Sequence, residues 1–125
     1  MNKKPLSLFT LILLGFGGMT AAESLAQSRD NYGAIATSDS STDAWGYGYD
    51  YPTRAQAERR ALEECGRSDC QVRVWFKNAC GSVATNGSRI GWAWASTRAE
   101  AEAQAMSACG QGDCRVQVWV CTTRQ

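Results

Sequence analysis

Hydrophobic and polar residues alternate in the last strand-like segment of each half of the chain. Val72, Val74 and Phe76 fall on one side of the first segment, and the same pattern returns over 116–120. A period of two indicates a β-strand with one buried face. We expect the valine side of both strands to face helices.

The chain is internally duplicated. At an offset of 44, residues 53–76 align with 97–120 and share 13 of 24 residues. Upstream the match continues with slightly larger offsets, which places insertions in connecting loops. We therefore expect one duplicated domain over 32–125, with repeat one at 32–79 and repeat two at 80–123.

Each repeat contains one helix with recognisable ends. A capping box precedes each helix, and a glycine suited to a left-handed stop follows it. The capping boxes are Thr53 with Gln56 and Thr97 with Glu100, and the glycines are Gly66 and Gly110. Alanine dominates the apolar helix face, so the helix should lie close to a sheet. Asn86-Gly87 predicts a hairpin turn in repeat two.

Each repeat therefore has the order strand, strand, helix, strand. We predict an α+β fold in which two ββαβ repeats form a mostly antiparallel sheet, with two helices packed on one face.

The first 26 residues have the order of a secretory signal peptide. Two lysines precede an apolar run over 6–16, and small residues follow. The run is shorter than the roughly 20 residues that span a bilayer. Cleavage fits after Ala22 or Ala26, and we favour Ala26, which leaves 27–31 as a polar leader. We expect a bacterial periplasmic or secreted protein that is not held in the membrane after cleavage.

Composition excludes several functions. The chain has no histidine, which excludes Ser-His-Asp and Cys-His catalysis and imidazole metal sites. Its formal net charge of +1 argues against strong electrostatic capture of nucleic acid or acidic membranes. We expect no cofactor and no nucleic-acid partner.

The duplication narrows the pairing of the six cysteines. Two pairs occupy equivalent places in the repeats, and one pair is peculiar to repeat two. The predicted disulfides are Cys65–Cys70, Cys109–Cys114 and Cys80–Cys121. The alternative is a zinc site made from the two C-x4-C pairs. An exported chain meets oxidation before it meets free zinc, so we expect a fold stapled by disulfides and no metal.

The motifs resemble those of the bacterial domain-of-unknown-function family 4189. They are Tyr-Gly-Ala-Ile-Ala at 32–36, Arg-Ala-x-Ala-Glu at each helix start, Cys-Gly-x-x-Asp-Cys and Val-x-Val-Trp. The resemblance covers 32–121, and all but the first motif occur twice, in the same order. It implies an exported protein with a single compact domain. It transfers no active site, because no shared activity or catalytic residues are established for the family.

Two sets of side chains are candidates for binding. The first lies opposite the valine side of the last strands and is rich in the Trp and Arg of interface hot spots. It comprises Trp75, Trp119, Arg73, Lys77, Arg115 and Gln117. The alternative set lies on the second strands, where it either fills the core or stacks on sugar rings. It comprises Trp45, Tyr47, Tyr49, Trp92 and Trp94.

Symmetric carboxylates raise the possibility of glycosidase-like catalysis. They are Glu58, Glu102, Asp69 and Asp113. Each Glu follows an arginine by four residues on a helix, and each Asp lies in a turn before a cysteine, so a structural role explains all four. We therefore assign no catalytic residue.

We expect an exported, non-catalytic binding protein that recognises a protein partner in the envelope or outside the cell, of the inhibitor or immunity type. A cell-wall glycan-binding module is the alternative, and an uncharacterised hydrolase comes third.

Overall fold

The computed structural model describes residues 30–39, 43–110 and 112–124. The predicted signal peptide and residues 27–29 of the predicted leader lie outside this part. The elements are β1 (Tyr32–Ser38), β2 (Trp45–Tyr51), α1 (Arg54–Cys65), β3 (Cys70–Lys77), β4 (Cys80–Thr85), β5 (Ile90–Ala95), α2 (Arg98–Cys109) and β6 (Arg115–Cys121).

The α+β class and the repeated ββαβ order are confirmed, but the strands form two sheets instead of one. Sheet 1 has the order β2-β1-β3 and sheet 2 the order β5-β4-β6, both antiparallel. The reason is burial on both faces of each sheet: Ala34 packs with α1, whereas its neighbour Ile35 packs with residues of sheet 2. One open sheet would leave such a face in water.

The two sheets pack face to face, and each helix covers the outer face of its own sheet. Val74 and Phe76 of sheet 1 share a core with Val118 and Val120 of sheet 2. The expectation that these valines face the helices is therefore wrong. Alanines line the helix contacts, where the backbones lie close together, and the larger side chains fill the space between the sheets.

Phe76 occupies a space left open by two glycines. A Cβ atom on Gly33 would lie 2.4 Å from Phe76 Cε2, and one on Gly81 would lie 2.3 Å from Phe76 Cε1. The ring is 1% exposed and bridges the first strands of the two repeats. Val120, at the equivalent position of repeat two, has a smaller side chain.

A β-bulge interrupts the strict alternation predicted for the last strand. Ile35 pairs with Val74, but Ala36 pairs with Val72, so Arg73 is the extra residue. As a result Val72 packs with the residues under α1, whereas Val74 faces sheet 2.

Glycines in β2 and β5 allow each helix to lie directly on its sheet. A Cβ atom on Gly46 would lie 2.3 Å from the Cys65 nitrogen, and one on Gly91 would lie 2.2 Å from the Cys109 nitrogen. These clashes are with helix backbone, which has no rotamer to change. The close helix packing predicted from the alanine-rich faces is thus confirmed.

Gly91→Ala is expected to lower the free energy of unfolding by about 1–3 kcal/mol or more, because the added methyl overpacks the contact with α2. Gly112→Ala is the matched control, since a Cβ atom there meets nothing within 4 Å. Urea denaturation of both variants measures the difference. A Gly91→Ala variant as stable as the Gly112→Ala variant would contradict this packing.

The predicted helix caps and hairpin are present. Thr53 Oγ1 accepts a hydrogen bond from the Gln56 amide at 3.2 Å, and Thr97 Oγ1 accepts one from the Glu100 amide at 3.2 Å. A left-handed glycine ends each helix, and Gly87 has a positive φ of 96° in the turn between β4 and β5.

The three predicted disulfides are also present: Cys65–Cys70, Cys109–Cys114 and Cys80–Cys121. The first two join the end of a helix to the following strand or its approach, and the third joins β4 to β6. Such bonds persist in oxidising compartments, which indicates an extracytoplasmic environment. No helix in the described part of the chain is long and apolar enough to span a membrane.

Candidate binding grooves at two sheet edges

β3 lies at one edge of sheet 1. The Asn78 amide donates to the Asn31 carbonyl at 2.9 Å. Bonded and non-bonded pairs alternate along an antiparallel ladder, so the main-chain groups of Trp75 and Lys77 point away from β1. Among the described residues, no strand pairs with this outer edge.

β6 has the equivalent position in sheet 2. The Thr122 amide donates to the Ala79 carbonyl at 2.9 Å. By the same alternation, the main-chain groups of Trp119 and Cys121 point away from β4. The duplication therefore produces two outward-facing strand edges.

Groove 1 lies between β3 and the aromatic side chains of β5. It is lined by 73–77 and 92–94 and encloses about 490 Å³. Trp92 is 42% exposed and Trp94 is 58% exposed. Two large apolar side chains thus lie in partial contact with water beside an unpaired strand edge.

Groove 2 lies between β6 and the aromatic side chains of β2. It is lined by 117–121 with Trp45, Tyr47 and Tyr49, and it encloses about 440 Å³. The Trp45 and Tyr47 ring centroids are 6.1 Å apart, and those of Tyr47 and Tyr49 are 5.9 Å apart. The aromatic rings of groove 2 therefore pack on one another.

A link joins β2, which lines groove 2, to the chain after β6. The Thr123 amide donates to Asp50 Oδ1 at 2.9 Å, and Thr123 Oγ1 donates to Asp50 Oδ2 at 2.9 Å. Ala95 stands at the position of Asp50 in repeat two, so groove 1 has no equivalent carboxylate. The link therefore has no counterpart between β5 and β3, the strands that line groove 1.

Arg73, the bulged residue, forms part of the wall of groove 1. Its Nε donates to Thr37 Oγ1 at 2.8 Å, and its guanidinium pairs with the Asp39 carboxylate. The guanidinium carbon lies 5.9 Å from the centroid of the Trp92 ring. The Arg73 side chain is only 12% exposed, so it is fixed in place beside Trp92.

Trp75 and Trp119 of the last strands lie on the helix-bearing faces of their sheets, which corrects the expectation that they face away from the helices. The Arg54 guanidinium lies 4.3 Å from the Trp75 ring centroid and forms an ion pair with Glu58 at 2.9 Å. The same stack recurs in repeat two: the Arg98 guanidinium lies 3.7 Å from the Trp119 ring centroid and forms an ion pair with Glu102 at 3.0 Å.

Sequence reasoning missed these stacks. The joint recurrence of Arg, Glu and Trp in both repeats was the signal that could have revealed them.

The duplicated domain matches a known family. A family model described as "Domain of unknown function (DUF4189)" matches residues 32–121. The chain belongs to this family. The resemblance expected from the sequence motifs is thus confirmed.

This DUF4189 chain is similar to mycobacterial proteins. Protein Rv1269c of Mycobacterium tuberculosis and Protein Mb1300c of Mycobacterium bovis are each 52% identical to it over 61 residues, which are 49% of this chain and 47% of the relative. The match thus spans about half the length of these relatives. The NMR structure of Rv1813c from Mycobacterium tuberculosis superposes with a TM-score of 0.56 at 36% identity, covering 73% of this chain and 74% of the other.

In this DUF4189 domain, groove 1 brings the two candidate sets together. Arg73, Trp75 and Lys77 of the first set lie beside Trp92 and Trp94 of the alternative set. Packing between the two sheets, which neither repeat encodes alone, creates this arrangement. The binding role of these residues stays a prediction.

The remaining candidates are divided. Gln117 and Trp119 line groove 2 together with the aromatic residues of β2. Arg115 lies outside both grooves, next to the turn at 86–87. The first set is therefore not one continuous surface.

The four paired carboxylates of the DUF4189 domain all contact groups of the fold. Glu58 and Glu102 form the ion pairs with the stacked arginines described above. Asp69 Oδ1 accepts a hydrogen bond from Ser38 Oγ at 2.8 Å, and Asp113 lies 3.7 Å from Arg89. These contacts give Glu58, Glu102 and Asp69 a structural role, whereas Asp113 makes long contacts at the surface.

Proposed function

We propose that this DUF4189 protein is exported by a signal peptide over residues 1–26 and acts in the periplasm or outside the cell. There it binds another protein without catalysis, as an inhibitor or immunity-type partner. Groove 1 carries the proposal, because exposed tryptophans there lie beside an unpaired strand edge.

A fixed scaffold supports this function. Trp92 lies near Arg73, which is held by its contacts with Thr37 and Asp39. Disulfides connect each helix end to the following strand or its approach. A partner that binds such a groove orders few additional groups, so less of the contact free energy is lost to conformational entropy. Partly exposed Trp side chains are also typical anchors of protein interfaces.

The strand edge favours a protein ligand over a glycan. Tryptophans alone suit both sugar stacking and protein anchoring. The outward main-chain groups of Trp75 and Lys77 repeat at a two-residue interval, which matches the donors and acceptors of another polypeptide strand. Glycan binding is therefore an alternative outcome of the test.

The test uses the disulfide-bonded protein as bait in envelope and culture-fluid extracts of the bacterium that encodes it. We expect one stoichiometric partner, which binds about tenfold or more weakly to a Trp92→Ala/Trp94→Ala variant. The matched control is Trp45→Ala/Tyr49→Ala in groove 2, which should retain the partner. Quantitative mass spectrometry measures the retained protein, and circular dichroism verifies folding.

Equal retention by both folded double variants would contradict the assignment to groove 1. If purified cell-wall glycan alone were retained, and it changed the tryptophan emission of the wild type but not of the groove 1 variant, the protein would instead be a glycan-binding module.

A further inference from the structure

We propose that groove 1 takes its partner by strand addition: an extended segment of the partner protein pairs with β3. This segment carries apolar side chains at alternate positions and an acidic side chain near Lys77. The inference rests on the proposed function, because it names the part of the partner that groove 1 binds.

Main-chain geometry is the first reason. The N–H and C=O groups of Trp75 and Lys77 point away from β1, two residues apart, as they do at any strand edge that accepts a further strand. In the described ranges, no strand pairs with them. Strand addition satisfies such groups with main-chain hydrogen bonds, and pockets for alternate side chains then supply specificity.

The spacing of the groove 1 tryptophans is the second reason. Trp92 and Trp94 are two residues apart on β5 and line the same groove. Residues at this interval on a strand lie about 6.6–6.8 Å apart. Alternate side chains of an added strand have the same spacing, so two of them can contact one tryptophan each. The partner segment therefore carries an apolar residue, any residue and a second apolar residue in this order.

Charge is the third reason and distinguishes the two grooves. Groove 1 has Arg73 and Lys77 where groove 2 has Gln117 and Cys121. Lys77 pairs with Asp30 at 3.5 Å, and both side chains are 47% exposed. Surface pairs of this kind are weak, so a carboxylate of the partner can replace Asp30. Arg73, by contrast, is held inside the wall of groove 1.

The Lys77 charge disfavours one way in which a second copy of this chain pairs with β3. Pairing centred on Lys77 places two lysines opposite each other. Like charges at directly opposed positions destabilise a ladder. A strand from another protein has no such restriction.

A library of random twelve-residue peptides displayed on phage, panned on the complete disulfide-bonded protein, tests the inference. We expect enriched peptides with apolar residues at alternate positions and at least one acidic residue. Binding of the synthesised peptides should weaken about tenfold or more in the Trp92→Ala/Trp94→Ala variant. An enriched set without this pattern, or no enrichment, would overturn the inference.

A matched pair of variants separates strand addition from side-chain contact. Lys77→Pro removes an outward N–H that β1 does not use, a position where an edge strand tolerates proline. Lys77→Ala removes the same charge and keeps the N–H. We expect peptide binding to be about fivefold or more weaker in Lys77→Pro than in Lys77→Ala, as for the loss of one hydrogen bond at an interface. Thermal unfolding verifies that both variants fold.

Equal binding by the two lysine variants would overturn strand addition. If the Trp92→Ala/Trp94→Ala variant still failed to retain the partner from extracts, the proposed function would stand even though strand addition was wrong. If the lysine variants bound equally and the tryptophan variant also retained the partner like the wild type, the proposed function would be contradicted as well. Dimers of the unliganded protein that dissociate in Lys77→Pro would assign the edge to a second copy instead.

Discussion

Phe76→Ala is expected to lower the free energy of unfolding by about 3–5 kcal/mol, the largest loss from any single core substitution in this domain. The ring is 1% exposed and fills the space between the two sheets. Its removal leaves a cavity that the strand backbones of both repeats are unable to close. Urea denaturation with the disulfides intact measures the loss.

A double-mutant cycle with Gly33→Ala tests the reason for this loss. In the wild type, Gly33→Ala should destabilise the fold, because the new Cβ atom would lie 2.4 Å from the ring of Phe76. In the Phe76→Ala background that clash is absent, and the methyl group partly fills the cavity. Additive effects of the two substitutions would contradict the described packing between the sheets.

Removal of the Cys80–Cys121 disulfide has the second largest expected effect. The Cys80→Ala/Cys121→Ala variant should lose about 4 kcal/mol of stability, since this bond closes a long loop and thereby restricts the unfolded chain. The bond joins β4 to β6, 41 residues apart in sequence. Denaturation of the variant against the wild type gives the difference.

The local disulfide provides the matched comparison. Cys65–Cys70 spans a separation of 5 residues, and its removal should cost about 2 kcal/mol by the same chain-entropy account. An equal or larger loss from the Cys65→Ala/Cys70→Ala variant would show that unfolded-state entropy is not the main contribution.

Local features of the fold were predictable because they depend on residues close in sequence. Thr53 with Gln56 defines a helix start wherever the helix packs. The duplication also places the two Cys-x4-Cys pairs at equivalent positions, which predicts the correct disulfides. Repeats with the same element order follow from the same alignment.

The arrangement of the sheets was not predictable in this way. Alternation in β3 shows that Val74 and Trp75 face opposite sides, but it does not show which side meets a helix. The extra residue Arg73 also shifts Val72 to the other face, and a bulge leaves no signal in the hydrophobic pattern. The position of Phe76 against Gly33 depends on contacts across the fold.

The candidate site shows the same division. Composition marks both sets of aromatic and basic residues as candidates, but it does not show that members of the two sets meet. Groove 1 combines Trp75 and Lys77 with Trp92 and Trp94, because β5 of one sheet packs beside β3 of the other. Such long-range packing has no counterpart in the spacing of residues along a single strand.

Hydrogen exchange of individual amides, followed by NMR with and without an enriched peptide, tests the central claim most directly. In the unliganded protein, the Trp75 and Lys77 amides should exchange faster than that of Phe76. The bound peptide should slow both by about tenfold or more, and leave the equivalent amides of Trp119 and Cys121 unchanged. Binding that leaves the exchange of Trp75 and Lys77 unaltered would contradict recognition through the edge of β3.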